Sequence, residues 1–128
     1  MINFIDLLGV RFATHGRSIS EGFDCYGYLM ALYKRHGREL PEVDGYKRAD
    51  DDEFAEHYEE VLKSLRDKVE KVDVPQYSDI VVFSDDKGRM VHIGMALNER
   101  DFTHCDIKGS RVSRFREYNK KYEVYRWL

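Results

Sequence analysis

Three side chains able to attack a carbonyl carbon or transfer protons stand out in the sequence: Cys25, His92 and His104. A cysteine thiolate is a strong nucleophile, and a histidine can take the thiol proton and return it to a leaving group. A second histidine can hold the first in the tautomer that the reaction requires. These residue types together would suit cleavage of an amide bond through a thioester.

The sequence around Cys25 predicts that this cysteine begins a helix. Asp24 is a favourable N-cap, and apolar residues at helical spacing follow until about residue 36. At the first helical position, free backbone amides and the helix dipole favour a thiolate and offer an N–H to an oxyanion. A buried apolar filler is the alternative, because many free cysteines have that role.

The two histidines fall on neighbouring strands of a predicted hairpin with the loop 98–100. If the residues flanking this loop pair, His104 lies opposite Gly94, and His92 becomes its diagonal neighbour on the same face. This register predicts imidazoles close to hydrogen-bonding distance. A shift of two residues would instead place Asp106 behind His92.

The periodicity of apolar residues predicts an α+β domain covering residues 1–128, in which N-terminal helices pack on an antiparallel sheet of about five strands. Helices are expected over 2–8, 25–36 and about 51–70, with an irregular loop over 10–21. The helix over 51–70 would bury a stripe formed by Phe54, Tyr58, Val61, Leu62, Leu65 and Val69. Strands are expected over 79–83, 89–97, 101–105, 111–115 and 122–128.

Composition narrows the classes of partner. The 128 residues include 21 basic and 24 acidic side chains, a net charge of −3, without a basic cluster that would bind nucleic acid or an anionic membrane. The N-terminus does not resemble a signal peptide, and no apolar run approaches the ~18 residues of a membrane span, so synthesis in the cytosol is expected.

Metal binding is the competing use of cysteine and histidine. Cys105 directly follows His104, so in a strand the two side chains point to opposite faces and cannot share an ion. Two cysteines also make no disulfide framework. We therefore predict neither a metal nor another cofactor.

Several segments resemble motifs of the NlpC/P60 family of papain-like cysteine peptidases. Residues 22–27 (GFDCYG) resemble its nucleophile motif G-F-D-C-S-G, and residues 38–41 (RELP) its G-x-x-L-P sequel. Residues 78–83 (SDIVVF), 92–95 (HIGM) and 101–104 (DFTH) resemble the segments G-D-L-V-F-F, H-V-G-I and F-I-H. The resemblance extends over nearly the whole chain.

The resemblance implies a papain-like fold and cleavage of peptide bonds in bacterial cell-wall stem peptides or muropeptides, often between γ-D-glutamate and a diamino acid. Cys25, His92 and His104 match the three catalytic positions. Tyr26 stands where serine is commoner, and Phe12 where many members carry a tyrosine that reaches the active site. Phe12, Asp24 and Tyr26 are therefore expected in the substrate and oxyanion region.

A non-catalytic reading of the same resemblance stays open. The fold would then serve as a structural or muropeptide-binding module of a phage tail. Residues 16–18 (GRS) ahead of the cysteine resemble the phage tail-assembly branch of the family. A bare catalytic domain without a signal fits a phage component, associated with the virion or released at lysis, or a cytosolic enzyme that recycles muropeptides.

Overall fold

The computed structural model describes residues 2–42 and 59–128, and it confirms an α+β chain dominated by an antiparallel sheet. Helix α1 is Cys25–Arg35, and residues 59–64 form the described part of α2. Short 3₁₀ helices occupy Ile5–Leu7 and Phe115–Glu117. The strands are β1 (Arg17–Ser18), β2 (Gly22–Phe23), β3 (Val69–Val72), β4 (Ile80–Ser84), β5 (Met90–Ala96), β6 (Asp101–Asp106), β7 (Gly109–Arg114) and β8 (Lys121–Trp127).

The main sheet has six strands in the order β3-β8-β4-β5-β6-β7, with every neighbouring pair antiparallel. Strands β4 to β7 follow one another as a meander, and β8 returns to lie between β4 and β3. The sequence predicts five of these strands and misses β3. A separate pair, β1 and β2, lies within and just after the segment predicted to be an irregular loop.

Two predicted helices differ from expectation: α2 ends earlier, and the N-terminal helix is a single turn. α2 gives way to a turn at residues 65–68, and Val69 begins β3 opposite Trp127 instead of continuing the helix. Val69 fits a helical stripe because it lies four residues after Leu65, but the open edge of β8 offers it strand hydrogen bonds. The first part of that prediction, with Phe54 and Tyr58, lies outside the described residues. The helix expected over 2–8 is reduced to a single 3₁₀ turn.

Helix α1 has well-defined ends, which fix where its first residue lies. Gly37 adopts φ +72°, and its N–H donates to Lys34 while the N–H of Arg38 donates to Tyr33. This is the Schellman arrangement that closes a helix C-terminus. The helix then buries one face against one face of the sheet, using the side chains of Tyr28, Leu29, Leu32 and Tyr33.

The opposite face of the sheet carries a compact group of buried apolar side chains, most of which are aromatic. We call this group the aromatic cluster, and its members are Val81, Phe83, Ala96, Phe102 and Phe115, with Tyr118 packed against them. The histidines belong to this face, because Phe83 pairs with His92 across β4 and β5 and strand alternation puts His104 beside Phe102. The sheet therefore separates a helix-covered face from an aromatic face.

Candidate active site

The start of α1 is fixed by its N-cap. The Asp24 carboxylate accepts a hydrogen bond from the Gly27 N–H at 2.6 Å, as the sequence predicts for this cap. The same oxygen binds Arg17 Nη1 at 2.8 Å, and Arg17 also reaches Glu42 at 3.0 Å. Cys25 is consequently held as the first residue of α1, with only 3% of its surface exposed.

Asp24 is a fully buried carboxyl group, and only one of its oxygens is paired. Among the residues that the structure describes, its Oδ2 has no hydrogen-bond partner. Burial raises the pKa of the Asp24 carboxyl, although Arg17 and the Gly27 N–H oppose that change. The structure thus gives Asp24, expected in the substrate region, a capping role on the helix.

A tight backbone contact seats the preceding loop on this helix. A Cβ at Gly27 would lie 2.1 Å from the carbonyl oxygen of Gly16, and a Cβ at Gly16 would lie 2.1 Å from that of Gly22. Real side chains do not fit at such distances, so the loop and the first turn of α1 approach each other only because both positions are glycine. This backbone contact places Arg17 next to the Asp24 carboxylate.

The two histidines form a buried hydrogen-bonded pair. His92 Nε2 lies 2.7 Å from His104 Nδ1, and the two side chains are 6% and 0% exposed. The paired residues Met95–Thr103 and Ala96–Phe102 confirm the predicted hairpin register. A Cβ at Gly94 would lie 3.1 Å from that of His104, so the missing side chain leaves the room that the imidazoles use.

The alternative register, with Asp106 behind His92, is wrong. Asp106 instead forms an ion pair with Arg111, whose Nη2 lies 2.7 Å from Oδ2. Although burial acts in the opposite direction, hydrogen bonds from Arg111 and from the Lys108 N–H lower the pKa of Asp106 to about 2. Asp106 is therefore committed to the turn between β6 and β7.

The hydrogen-bond chain continues from His104 to Ser113 and defines which nitrogen can act as a base. His104 Nε2 lies 2.8 Å from Ser113 Oγ. If His104 donates from Nε2 to Ser113, its Nδ1 accepts from Nε2–H of His92, and Nδ1 of His92 is then the basic nitrogen. The chain is therefore compatible with the tautomer that a general base needs.

Burial favours the neutral form of both imidazoles. Burial, followed by the neighbouring His104, lowers the pKa of His92 to about 3. Burial, followed by Arg111, lowers the pKa of His104 to about 4. At neutral pH a proton can be accepted at His92, but an imidazolium is disfavoured until another charge appears beside it.

The ring of Tyr118 packs against both histidines. Its ring centroid lies 5.9 Å from that of His92 in a stacked arrangement and 5.2 Å from that of His104 in an edge arrangement. Burial, then Asp106 and Cys25, raise the pKa of Tyr118 to about 12, which places the thiol within electrostatic reach of the phenol. Tyr118 thus contacts both histidines, while the catalytic roles of Cys25, His92 and His104 stay a prediction.

Phe12 and Tyr26 have different surroundings from each other. Phe12 is half-buried and forms a parallel bridge with Phe23, two residues before Cys25. Tyr26 is fully buried; its hydroxyl donates to the carbonyl of Pro41, and the Arg17 guanidinium lies 5.9 Å from its ring centroid. Contact of either side chain with substrate stays a prediction.

The sequence analysis missed Arg17, Ser113 and Tyr118. Ser113 could have been found from the register of β6 and β7, because the turn at 107–108 sets Phe102 opposite Ser113 and makes Ser113 a diagonal neighbour of His104. Tyr118 lies just after a 3₁₀ turn, where no periodic pattern predicts the direction of a side chain.

The described residues contain neither a metal-binding cluster nor a membrane-spanning helix. Within residues 2–42 and 59–128, no three His, Cys, Asp or Glu side chains converge as a metal site requires. In the same part of the chain, no helix is long and apolar enough to cross a lipid bilayer.

The protein is thus an α+β domain with a cysteine at the start of a helix and a buried histidine pair in its sheet. The family model of the NlpC/P60 family matches residues 9–128. The chain therefore belongs to the NlpC/P60 family.

Solved structures show the same fold. The NlpC/p60 domain of the peptidoglycan hydrolase SagA superposes with a TM-score of 0.61 at 19% identity, covering 92% of this chain and 88% of that domain. An NlpC/P60 family protein from Bacillus cereus gives 0.62 at 21% identity, covering 91% of this chain and 35% of its own. A lipoprotein-like NLP/P60 protein from Staphylococcus aureus gives 0.60 at 18% identity, covering 86% and 32%. This chain thus spans about a third of the latter two, and no curated protein matches its sequence.

Proposed function

We propose that the protein is a cysteine peptidase that cleaves peptide bonds in bacterial cell-wall stem peptides through a Cys25 thioester. The observation that carries the proposal is the buried hydrogen bond of 2.7 Å between His92 and His104, held on strands beside the helix that begins at Cys25. Family membership and the fold shared with a peptidoglycan hydrolase domain support the choice of substrate.

The proposed reaction begins with transfer of the Cys25 thiol proton to Nδ1 of His92. The thiolate attacks the amide carbon, and the N–H of Cys25 donates to the resulting oxyanion. His92 then protonates the leaving amine, which departs as the thioester forms, and water hydrolyses the thioester. His104 keeps His92 in the required tautomer throughout and is itself held by Ser113.

The test compares two matched cysteine variants on purified stem peptides. We expect Cys25→Ser to lower the rate of fragment release by about 10³-fold or more, because the nucleophile is removed. Cys105→Ser is the control: its thiol donates to the Phe23 carbonyl at 3.3 Å, and a serine hydroxyl can replace that donor. Equal loss in both variants, or no product from the wild type, would contradict the proposal.

The same digestion identifies the bond. Release of a fragment that ends in γ-D-glutamate, with a free diamino acid amine on the other product, would establish a γ-D-glutamyl–diamino acid endopeptidase. Cleavage at another position would keep the cysteine mechanism and change the substrate assignment. Mass spectrometry of the two fragments distinguishes these results.

A binding module is the second candidate, and the near-complete burial of Cys25 favours it, since a substrate carbonyl must reach the thiol. In a phage tail, such a module would hold a muropeptide or a tail protein without cleaving it. It predicts that wild type and Cys25→Ser bind muropeptides equally and that neither releases fragments. Flanking tail genes would support this setting, whereas peptidoglycan-recycling genes would support a cytosolic enzyme.

A further inference from the structure

A single aromatic side chain borders both the histidine pair and an open cavity. The cavity, of about 720 Å³, is lined by residues 84–86, Arg116 and residues 118–121. Tyr118 is the lining residue whose ring also contacts His92 and His104. Tyr118 therefore lies both at the cavity and against the two imidazoles.

The ring is held by close aromatic packing. Its centroid lies 4.8 Å from that of Phe83 and 5.3 Å from that of Phe102, both in edge arrangements. These two phenylalanines are fully buried and belong to β4 and β6. The sheet thus fixes the orientation of Tyr118, and Tyr118 in turn presents its face to His92.

We propose that Tyr118 is a positioning residue, whose ring holds the imidazoles of His92 and His104 in place and closes them off from the cavity. The proposal rests on the proposed function only in giving the histidines a catalytic purpose. The effect of the Tyr118 ring on the two imidazoles can be tested without a substrate.

Tyr122 provides a matched control beside the aromatic cluster. It stacks on Phe115 at 4.6 Å and lies 5.9 Å from Phe83, as an exposed tyrosine of the neighbouring strand β8. Within the described residues, the aromatic contacts of His92 are with Phe83, His104 and Tyr118, so Tyr122 is not among them. Loss of Tyr122 should loosen the cluster without opening the histidine pair.

The electrostatic surroundings give the direction of the expected change. Among the described residues, the charged groups that act on the pair are Asp106, Arg111 and Lys120, and Cys25 of α1 acts on Tyr118. Burial is the largest cause of the lowered pKa of His92. Removing the ring admits water, so the pKa of His92 should rise towards its ordinary value of about 6.5.

The experiment follows each imidazole by nuclear magnetic resonance during a pH titration, with signals assigned through His92→Gln. We expect His92 in Tyr118→Leu to titrate about one pH unit or more above the wild type. Tyr118→Phe and Tyr122→Leu should titrate as the wild type does. If Tyr118→Leu does not fold, Tyr118→Met keeps more of the apolar volume and carries the same expectation.

Two results would overturn the proposal. One is a folded Tyr118→Leu or Tyr118→Met protein with the wild-type titration of His92; the other is a shift in Tyr118→Phe as large as in Tyr118→Leu, which would assign the effect to the hydroxyl. With stem peptides as substrates, the acid limb of the pH profile of kcat/KM should move to higher pH, together with the His92 titration. If the chain cleaves no stem peptide, the titration still decides on Tyr118, so the two proposals fail separately.

Discussion

The two sides of the candidate site are stabilised by different forces. On the helix side, residues 16–27 depend on a buried ion pair between Arg17 and Asp24 and on a backbone contact that only glycines allow. On the histidine side, strands β5 to β7 hold neutral groups: a hydrogen-bond chain from His92 to Ser113, packed on aromatic rings. Changes of charge should therefore disturb the helix side, and changes of strand spacing the histidine side.

The largest expected effect is loss of stability on the helix side. Replacing Arg17 with leucine leaves the Asp24 carboxyl buried without its cation, and breaking a buried pair in this way costs about 3 kcal/mol in free energy of unfolding. Urea denaturation at pH 7 measures the loss. The double variant Arg17→Leu/Asp24→Asn should recover part of it, because asparagine still caps the helix without a charge.

Arg35 provides the control for this prediction. It forms a bidentate pair with Asp6 at 2.6 Å, but both side chains are substantially exposed. Surface pairs of this kind contribute little, so Arg35→Leu should be much less destabilising than Arg17→Leu. Equal losses in the two variants would mean that burial of the Asp24 carboxyl is not what makes its ion pair matter.

The second prediction uses one glycine from each side. Gly27→Ala pushes a Cβ to 2.1 Å from the Gly16 carbonyl oxygen, and Gly94→Ala pushes one to 2.8 Å from the Thr103 carbonyl oxygen. Overpacking of this kind costs about 2 kcal/mol at each site, even after the better helix propensity of alanine at position 27. Only Gly94→Ala should also separate the imidazoles of His92 and His104.

The measurement combines urea denaturation with the imidazole signals of the histidine pair. Gly27→Ala serves as a control of similar stability, so a change seen only in Gly94→Ala reports on the geometry of the pair. Unchanged coupling between His92 and His104 in Gly94→Ala would show that the missing side chain is not what admits the two imidazoles.

Much of the geometry on both sides of the site can be predicted from the sequence, because it depends on residues that are close together in the chain. The N-cap at Asp24 and the register across loop 98–100 each depend on a few neighbouring residues, and both predictions are confirmed. Strand β3 was missed because Val69 continues a helical spacing as well as it starts a strand. Arg17 and Tyr118 depend on how loops fold back, and no local pattern encodes that.

The third prediction concerns the reactivity of the two cysteines and the protonation of the site at rest. The sequence predicts a thiolate–imidazolium pair before substrate arrives, since the start of α1 should lower the pKa of the Cys25 thiol below about 8.5. Burial lowers the pKa of His92 and so opposes the imidazolium half of that pair. We therefore expect proton transfer to accompany the attack, with thiol and imidazole both neutral beforehand.

Alkylation by iodoacetamide between pH 5 and 10 tests this expectation. Burial, then Asp106 and Asp24, raise the pKa of Cys105 to about 12, so at pH 7.5 Cys25 should react about 100-fold faster or more. The Cys25 rate should rise in one step across this range as the thiol loses its proton, and the variants Cys105→Ser and Cys25→Ser report each thiol alone. A second, smaller reagent distinguishes low reactivity from shielding by Phe12. If the Cys25 rate is already constant at pH 5 to 6, the thiolate–imidazolium pair exists before substrate arrives. If both thiols react at equal rates, Cys25 is not an activated nucleophile.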